Sequence, residues 1–342
     1  MVRSTTVQDQ IDARQSLTRG NPLLVVEDLT MHYKTRKGDV SAVDNVSFTL
    51  AEGESIGLVG ESGCGKTSVA LSLLRLLPEN GYFKGGHIWL GDTDILELSE
   101  KEMNDVRWAR ISMVFQAAMN ALNPVYKVGE QIIEAIDLHW GVGSQEQARQ
   151  RVAELFEMVG LDPAMMDRYP HEYSGGMRQR AVIAMALAVN PDIIIADEPT
   201  TALDVIVQDR ILQELSNVQE KLGMSMIYIS HDIAVIAEVS DRIGVMYAGR
   251  MAEIADAVSI FERPLHPYTY ALMSAFPSIT GPKHDLVVVP GEPPDLLDPP
   301  SGCRFHPRCP NAIERCRQEQ PPLEEMEPGH FAACWNPMEV TG

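Results

Sequence analysis

Short apolar runs alternate with longer stretches of helical periodicity along this chain of 342 residues. Ser55-Ile56-Gly57-Leu58-Val59 has the character of a buried strand, and the stretch 68–77 after it is apolar at helical spacing. Ile193-Ile194-Ile195-Ala196 reads as a second buried strand, with an apolar helix at 181–189 ahead of it. The intervals 128–138 and 145–159 carry the periodic apolar positions of packed helices. Strands alternating with helices predict an α/β core built from about 23–115 and again from about 190–255. The interval of about 116–187 reads as mainly helical. Beyond residue 255 the pattern weakens and prolines crowd between Pro264 and Pro337, which predicts a separate, loop-rich appendage over 256–342. A polar extension covers 1–21, and no internal repeat is present.

The turn between the first strand and its helix is Gly60-Glu61-Ser62-Gly63-Cys64-Gly65-Lys66-Thr67, followed by Ser68. Strand, glycine turn and helix place successive backbone N–H groups and a helix N-terminus around one anionic point. The glycines let the backbone approach phosphate oxygens, Lys66 reaches the β- and γ-phosphates, and the Thr67 hydroxyl ligates Mg²⁺. The second strand ends in Asp197-Glu198. Side chains alternate along a strand, so the two acids need not share a task. Asp197 would hold Mg²⁺ through water and Glu198 would polarise an attacking water, because phosphoryl transfer needs positioning and charge neutralisation more than covalent chemistry. Helix capping ahead of Pro199-Thr200 accounts for one of these acids but hardly for both. Ser174-Gly175-Gly176, opening a helix before that strand, is a second anion cradle. Two cradles in one chain suggest that one serves a partner's nucleotide.

Together these segments resemble the ATP-binding subunit of ABC transporters, over about 22–335. Tyr33 matches the aromatic that stacks on adenine, and Gln116 the glutamine that senses Mg²⁺ and contacts the membrane subunit. Thr201-Ala202-Leu203-Asp204 matches the loop exchanged between two ATPase subunits, and His231 the switch histidine at the γ-phosphate. Asn123-Pro124, His171-Glu172, Pro264-Leu265-His266-Pro267-Tyr268-Thr269 and the tail from Pro290-Gly291-Glu292 are similar to the oligopeptide/dipeptide importer branch, and 78–123 is closer to its D-type subunit. Two departures from the family stand out: Tyr173 where leucine is usual, and Ala117-Ala118 where an acid and a proline are usual.

The resemblance implies a RecA-like P-loop core over 22–255 with a helical subdomain. It implies ATP and Mg²⁺ as ligands, and catalytic roles for Glu198, His231 and Gln116. The nucleotide would be held by Tyr33, the loop 60–68, Asp197 and, from the opposite subunit, Ser174, Gly175, Gly176 and Asp204. Thr67, Gln116 and Asp197 would hold the magnesium. Partners would be a paralogous ATPase subunit, two membrane permease subunits and an extracytoplasmic solute-binding protein. The subunit would sit at the cytoplasmic face of the membrane, peripheral through the permease. Import of nickel or oligosaccharides by the same architecture, or a soluble ABC ATPase without a permease, are the competing functions.

Composition adds three points. A formal net charge of −20 argues against nucleic acid as a partner, since phosphate backbones need clustered Lys and Arg. No apolar run approaches the ~18 residues of a membrane span, and residues 1–20 lack an apolar signal-peptide core. Four of the five cysteines, Cys303, Cys309, Cys316 and Cys334, lie in the tail with intervals of five, six and seventeen residues. Disulfides are disfavoured in the cytosol. Zinc suits four thiolates but usually takes a close pair, a [4Fe–4S] cluster takes four thiolates at varied spacing, and unligated thiols remain open. The resemblance favours the cluster, because Cys303-x5-Cys309-Pro310-x5-Cys316 looks like the cluster-binding tail of part of the peptide-importer branch. In a proline-rich segment with little core of its own, it would act as a structural staple.

Overall fold

The computed structural model describes residues 22–116, 121–140, 144–199, 205–275 and 289–338. They divide between two compact units. The first takes the described residues of Met1–Ala51, Ser55–Glu97 and Ile229–Gly342, and the second those of Glu52–Glu54 and Leu98–Tyr228. In chain order the elements are β1 (Pro22–Thr35), β2 (Gly38–Ala51), β3 (Ser55–Val59), α1 (Lys66–Leu73), β4 (Gly81–Leu90) and β5 (Thr93–Asp94). There follow α2 (Glu100–Val106), β6 (Ile111–Val114), α3 (Val128–Trp140), α4 (Gln145–Met158), α5 (Gly175–Ala186), β7 (Ile193–Asp197), α6 (Val205–Leu222) and β8 (Ser225–Ser230). The chain then returns through α7 (Ile233–Val239), β9 (Arg242–Tyr247), β10 (Arg250–Asp256), α8 (Ala257–Glu262), α9 (Pro267–Ser274), α10 (Glu314–Gln318), β11 (Glu324–Glu327) and β12 (His330–Ala332).

The first unit holds an antiparallel sheet in the order β2-β1-β4-β5 and a second ladder in the order β11-β12-β10-β9-β3. Within that ladder only β3 and β9 run parallel, with Val59 opposite Val245. All residues of β3 and β9 are buried, as expected of strands covered on both faces. The last strands of the chain extend this ladder: β12 pairs with β10 through Glu253↔Ala332 and Ile254↔Phe331. The proline-rich C-terminal stretch is therefore built into the unit that carries the phosphate loop. Its docking is polar as well as apolar. The fully buried Glu253 carboxylate accepts the N–H groups of Leu265 (2.7 Å) and His266 (2.8 Å) and sits 2.6 Å from His330 Nε2. A buried carboxylate persists only with such partners.

In the second unit β6 and β7 run parallel and in register from Ile111↔Ile193 to Val114↔Ala196, and β8 lies beyond β7. Helices α3, α4 and α5 pack beside one another through the periodic positions: Val128, Ile132, Ala135 and Ile136 on α3, and Ala148, Val152, Leu155 and Phe156 on α4. Each such large side chain contributes about 1.5–3 kcal/mol on burial. Local caps set the starts. Ser99 and Glu102 form a reciprocal capping box on α2, and Ser144 Oγ accepts the Gln147 N–H at α4.

Candidate functional site: a phosphate loop and an acidic strand end

Strand β3 ends at Val59 and the chain turns through Gly60–Gly65 into α1. Two glycines are obligatory here. Gly60 has φ +149°, and a Cβ on it would lie 2.2 Å from the Met246 carbonyl oxygen. Gly65 has φ +106°, and a Cβ on it would lie 2.3 Å from the Ala42 carbonyl oxygen. Gly65 is also the N-cap of α1 and supplies no capping side chain. No cap therefore competes at this helix start with an anion, which the partial positive charge of a helix N-terminus favours. The Lys66 ammonium is buried and donates to the carbonyl oxygens of Gly60 (2.7 Å) and Glu61 (3.1 Å), so the loop itself holds the cation in place. Cys64 is buried beside it, and burial raises its thiol pKa, which makes it a packing residue. Thr67 is exposed, and the half-buried Tyr33 places its hydroxyl 3.1 Å from Ser68 Oγ. His231 follows β8 and is exposed.

The second unit assembles the other group. Parallel pairing of β6 with β7 brings their C-terminal ends alongside, where α/β sheets place ligands. Gln116 just beyond β6 donates from Nε2 to Glu198 Oε2 at 2.7 Å. Asp197 closes β7 and is buried, whereas Glu198 is partly exposed. Glu198 stands at φ +46°, a region that costs a non-glycine residue about 1–3 kcal/mol and that recurs at functional sites. Ser174 is the N-cap of α5, its hydroxyl accepting the Met177 N–H at 3.3 Å, with Gly175 and Gly176 forming the first turn. A Cβ on Gly176 would lie 3.1 Å from Val207 Cγ1. Tyr173 is buried, and its hydroxyl donates to the Met165 carbonyl at 2.7 Å. Burial raises its pKa, keeping the phenol neutral. Asp204 and Ala117-Ala118 lie outside the described residues.

The tail supports the phosphate loop through contacts that no motif marks. The Glu61 N–H donates to Tyr268 Oη at 2.9 Å, and the Glu61 carboxylate receives two hydrogen bonds from Arg308. Arg304 donates to the Ala248 carbonyl and to Asp44, beside the Gly249 N–H that donates to Cys64 O at 2.8 Å. Arg308 lies 247 positions from Glu61, and neither local spacing nor composition signals such a pair.

The tail thiols share one neighbourhood. The Cys303 N–H donates to Cys316 O at 2.8 Å. Burial pushes the Cys334 thiol up to about 12, with the thiols of Cys303, Cys309 and Cys316 adding to it. Burial likewise takes Cys303 up to about 11 and raises Cys309. Backbone N–H groups of Phe305 and His306 oppose this at Cys303, as do those of Asn311 at Cys309 and Asn336 at Cys334. Among the described residues, however, no three His, Cys, Asp or Glu side chains are gathered closely enough to hold a metal ion.

A glycine loop against a helix N-terminus, with a lysine held by that loop, is the phosphate loop of a P-loop nucleotide-binding protein, and the same chain carries a strand ending in two adjacent carboxylates. Residues 43–201 match the ABC transporter family, and 252–316 match the family described as "Oligopeptide/dipeptide transporter, C-terminal region". The chain belongs to the ABC-transporter ATP-binding proteins of the oligopeptide/dipeptide branch, and it is an ATPase of the ABC fold. It is 44% identical over 329 residues to the oligopeptide transport ATP-binding protein OppD of Salmonella typhimurium, covering 96% of this chain and 97% of that protein. It is 43% identical over 322 residues to the dipeptide transport ATP-binding protein DppD of Escherichia coli, covering 94% and 98%. Among solved structures it resembles the dimeric post-hydrolysis state of the ATP-binding cassette MJ0796 bound to ADP and Pi. That match has a TM-score of 0.62 and 29% identity, over 68% of this chain and 98% of the other. No helix among the described residues is long and apolar enough to cross a membrane.

Proposed function

We propose that this chain is the energy-coupling subunit of an importer for oligopeptides or dipeptides, working at the cytoplasmic face of a membrane through two permease subunits. The observation that carries the cargo assignment is the match of 252–316 to the peptide-transporter C-terminal region, in a chain whose relatives are transport proteins for those substrates. An extracytoplasmic solute-binding protein would select the peptide, and a paralogous subunit would complete the ATPase pair. Cells lacking the chain should lose uptake of a labelled tripeptide while nickel uptake persists. Loss of nickel or oligosaccharide uptake instead would reassign the cargo.

Lys66, the loop N–H groups and the α1 N-terminus would bind the ATP phosphates, with Tyr33 against adenine. Thr67, Asp197 and Gln116 would hold magnesium, which supplies charge neutralisation to the phosphates. Glu198 would orient and polarise the attacking water, with His231 at the γ-phosphate. Ser174, Gly175, Gly176 and Asp204 would serve the nucleotide of the opposite subunit. ATP binding favours the closed pair and hydrolysis reopens it, so the energy transmitted to the permease is the difference in ATP affinity between the two states.

We also assign Cys303, Cys309, Cys316 and Cys334 as thiolate donors for a [4Fe–4S] cluster serving as a structural staple. The support is the set of four thiols in one segment and the backbone N–H groups that face three of the sulfurs, since hydrogen bonds to sulfur tune such centres, although among the described residues these side chains are not gathered around a common point. Anaerobic purification followed by iron and sulfide analysis tests it. About four irons per chain are expected, and one zinc or no metal refutes the assignment.

A further inference from the structure

Arg308 stands in the tail beside Cys309, yet its guanidinium is spent on the phosphate loop. It has five N–H donors, and each has an acceptor. Nε donates to Pro290 O at 2.8 Å, Nη1 to Glu61 Oε2 at 2.7 Å and Tyr247 Oη at 3.2 Å, and Nη2 to Glu61 Oε1 at 2.9 Å and Gly291 O at 3.3 Å. The side chain is 6% exposed and that of Glu61 26% exposed. A two-point guanidinium–carboxylate fork fixes direction as well as distance, which lysine cannot reproduce. An exposed ion pair would contribute little. This one is shielded and held from behind by two backbone carbonyls.

The carboxylate it grips belongs to the first residue after Gly60. The main chain of Glu61 is engaged on both sides: its N–H donates to Tyr268 Oη at 2.9 Å, and its carbonyl accepts Lys66 Nζ at 3.1 Å and the Cys64 N–H at 3.2 Å. Tyr268 is itself wedged against Tyr247 (ring centroids 4.7 Å apart) and Phe305 (5.4 Å), and Tyr247 is the ring whose hydroxyl meets Arg308. Tail, α9 and β9 thus form an outer wall that grips one residue of the loop, and the same residue receives the lysine that binds phosphate.

We infer that Arg308 is a positioning residue for ATP: through Glu61 it holds the phosphate loop in its nucleotide-ready shape, so the C-terminal segment is part of the ATP-binding apparatus. The inference rests on the reading of 60–67 as the phosphate loop. Arg308 does not touch the reacting atoms, so its loss should weaken ATP binding without slowing the bound enzyme. Misplacing a binding group by about 1 Å can cost about a hundredfold, and a freed carboxylate beside the phosphates adds repulsion.

The test is steady-state Mg·ATP hydrolysis by the assembled transporter carrying Arg308→Gln, Arg308→Lys, Glu61→Gln or the Arg308→Gln/Glu61→Gln pair. Each glutamine variant should raise KM about tenfold or more with kcat within about twofold. The pair should be no worse than either single change, because both act through one contact, and Arg308→Lys should fall between. Additive losses, an unchanged KM, or a fall in kcat at constant KM would overturn the proposal. Should Arg308→Gln fail to fold, Glu61→Gln decides alone, since it leaves the other three Arg308 contacts intact. Lys66→Ala separates the phosphate-loop assignment from the positioning role. If it abolishes ATP binding while the Arg308 and Glu61 variants behave as wild type, only the positioning role fails. If Lys66→Ala binds ATP normally, the loop assignment fails and the positioning role with it.

Discussion

His266 offers a quantitative test of how the tail-side wall is built. It is 3% exposed, its N–H is held by Glu253, and its Nδ1 accepts the Tyr268 N–H at 3.0 Å as the N-cap of α9. Protonating Nδ1 would convert that acceptor into a donor and place a cation in the interior. Burial accordingly lowers its pKa from 6.5 to about 4, against the opposing pull of the Glu253 charge. In the unfolded chain the imidazole titrates at its ordinary value, so the folded state's advantage is complete above about pH 6.5 and is lost as pH falls towards about 4. Each tenfold difference in proton affinity between the two states is worth about 1.4 kcal/mol. The loss from this residue therefore reaches about 2 kcal/mol by about pH 5 and about 3 kcal/mol by about pH 4. His266→Asn keeps a good N-cap but does not titrate. Urea unfolding of both proteins across this range should give stabilities that diverge by those amounts, the wild type falling faster. Parallel pH dependences would show that His266 is not a buried neutral cap of α9.

Other expectations follow from the same geometry. Glu198→Gln should bind ATP and accumulate a closed pair with hydrolysis reduced by at least about a hundredfold, and normal turnover in single-round assays would remove Glu198 from its role. Gly65→Ala must adopt φ near +106° and bring a Cβ to 2.3 Å from Ala42 O. With strain of about 1–3 kcal/mol, nucleotide titration should find ATP affinity down about tenfold or more, and wild-type affinity would contradict the loop geometry. Replacing Cys303, Cys309, Cys316 and Cys334 together by serine should remove iron and lower thermal stability, and an unchanged melting temperature would deny the staple.

The phosphate loop was legible as a strand, turn and helix because its parts are local. Phosphate loops need glycine, lysine and hydroxyl at fixed offsets behind an apolar strand, and β3, the loop and α1 stand where that pattern puts them. The apolar periodicity of 128–138 and 145–159 likewise became α3 and α4. The helix expected at 68–77 begins earlier, at Lys66, because Gly65 serves as its N-cap, and ends earlier, at Leu73. What the sequence concealed is pairwise and distant. Nothing near Glu253 signals that His330 will meet it, and nothing near Cys309 says that its neighbour Arg308 will grip Glu61. The strands β11 and β12 were equally hidden, because four- and three-residue segments carry no measurable period. They find their place by pairing with each other and, through β12, with β10.

Hydrolysis by this chain is expected to drive peptide across a membrane. The most direct measurement is accumulation of labelled peptide in proteoliposomes containing this chain, its paralogue and permease, with binding protein and peptide on the side opposite ATP. Uptake should require ATP and peptide-loaded binding protein and should disappear with Glu198→Gln. Uptake that survives Glu198→Gln, or vigorous ATP hydrolysis with no peptide movement, would contradict it.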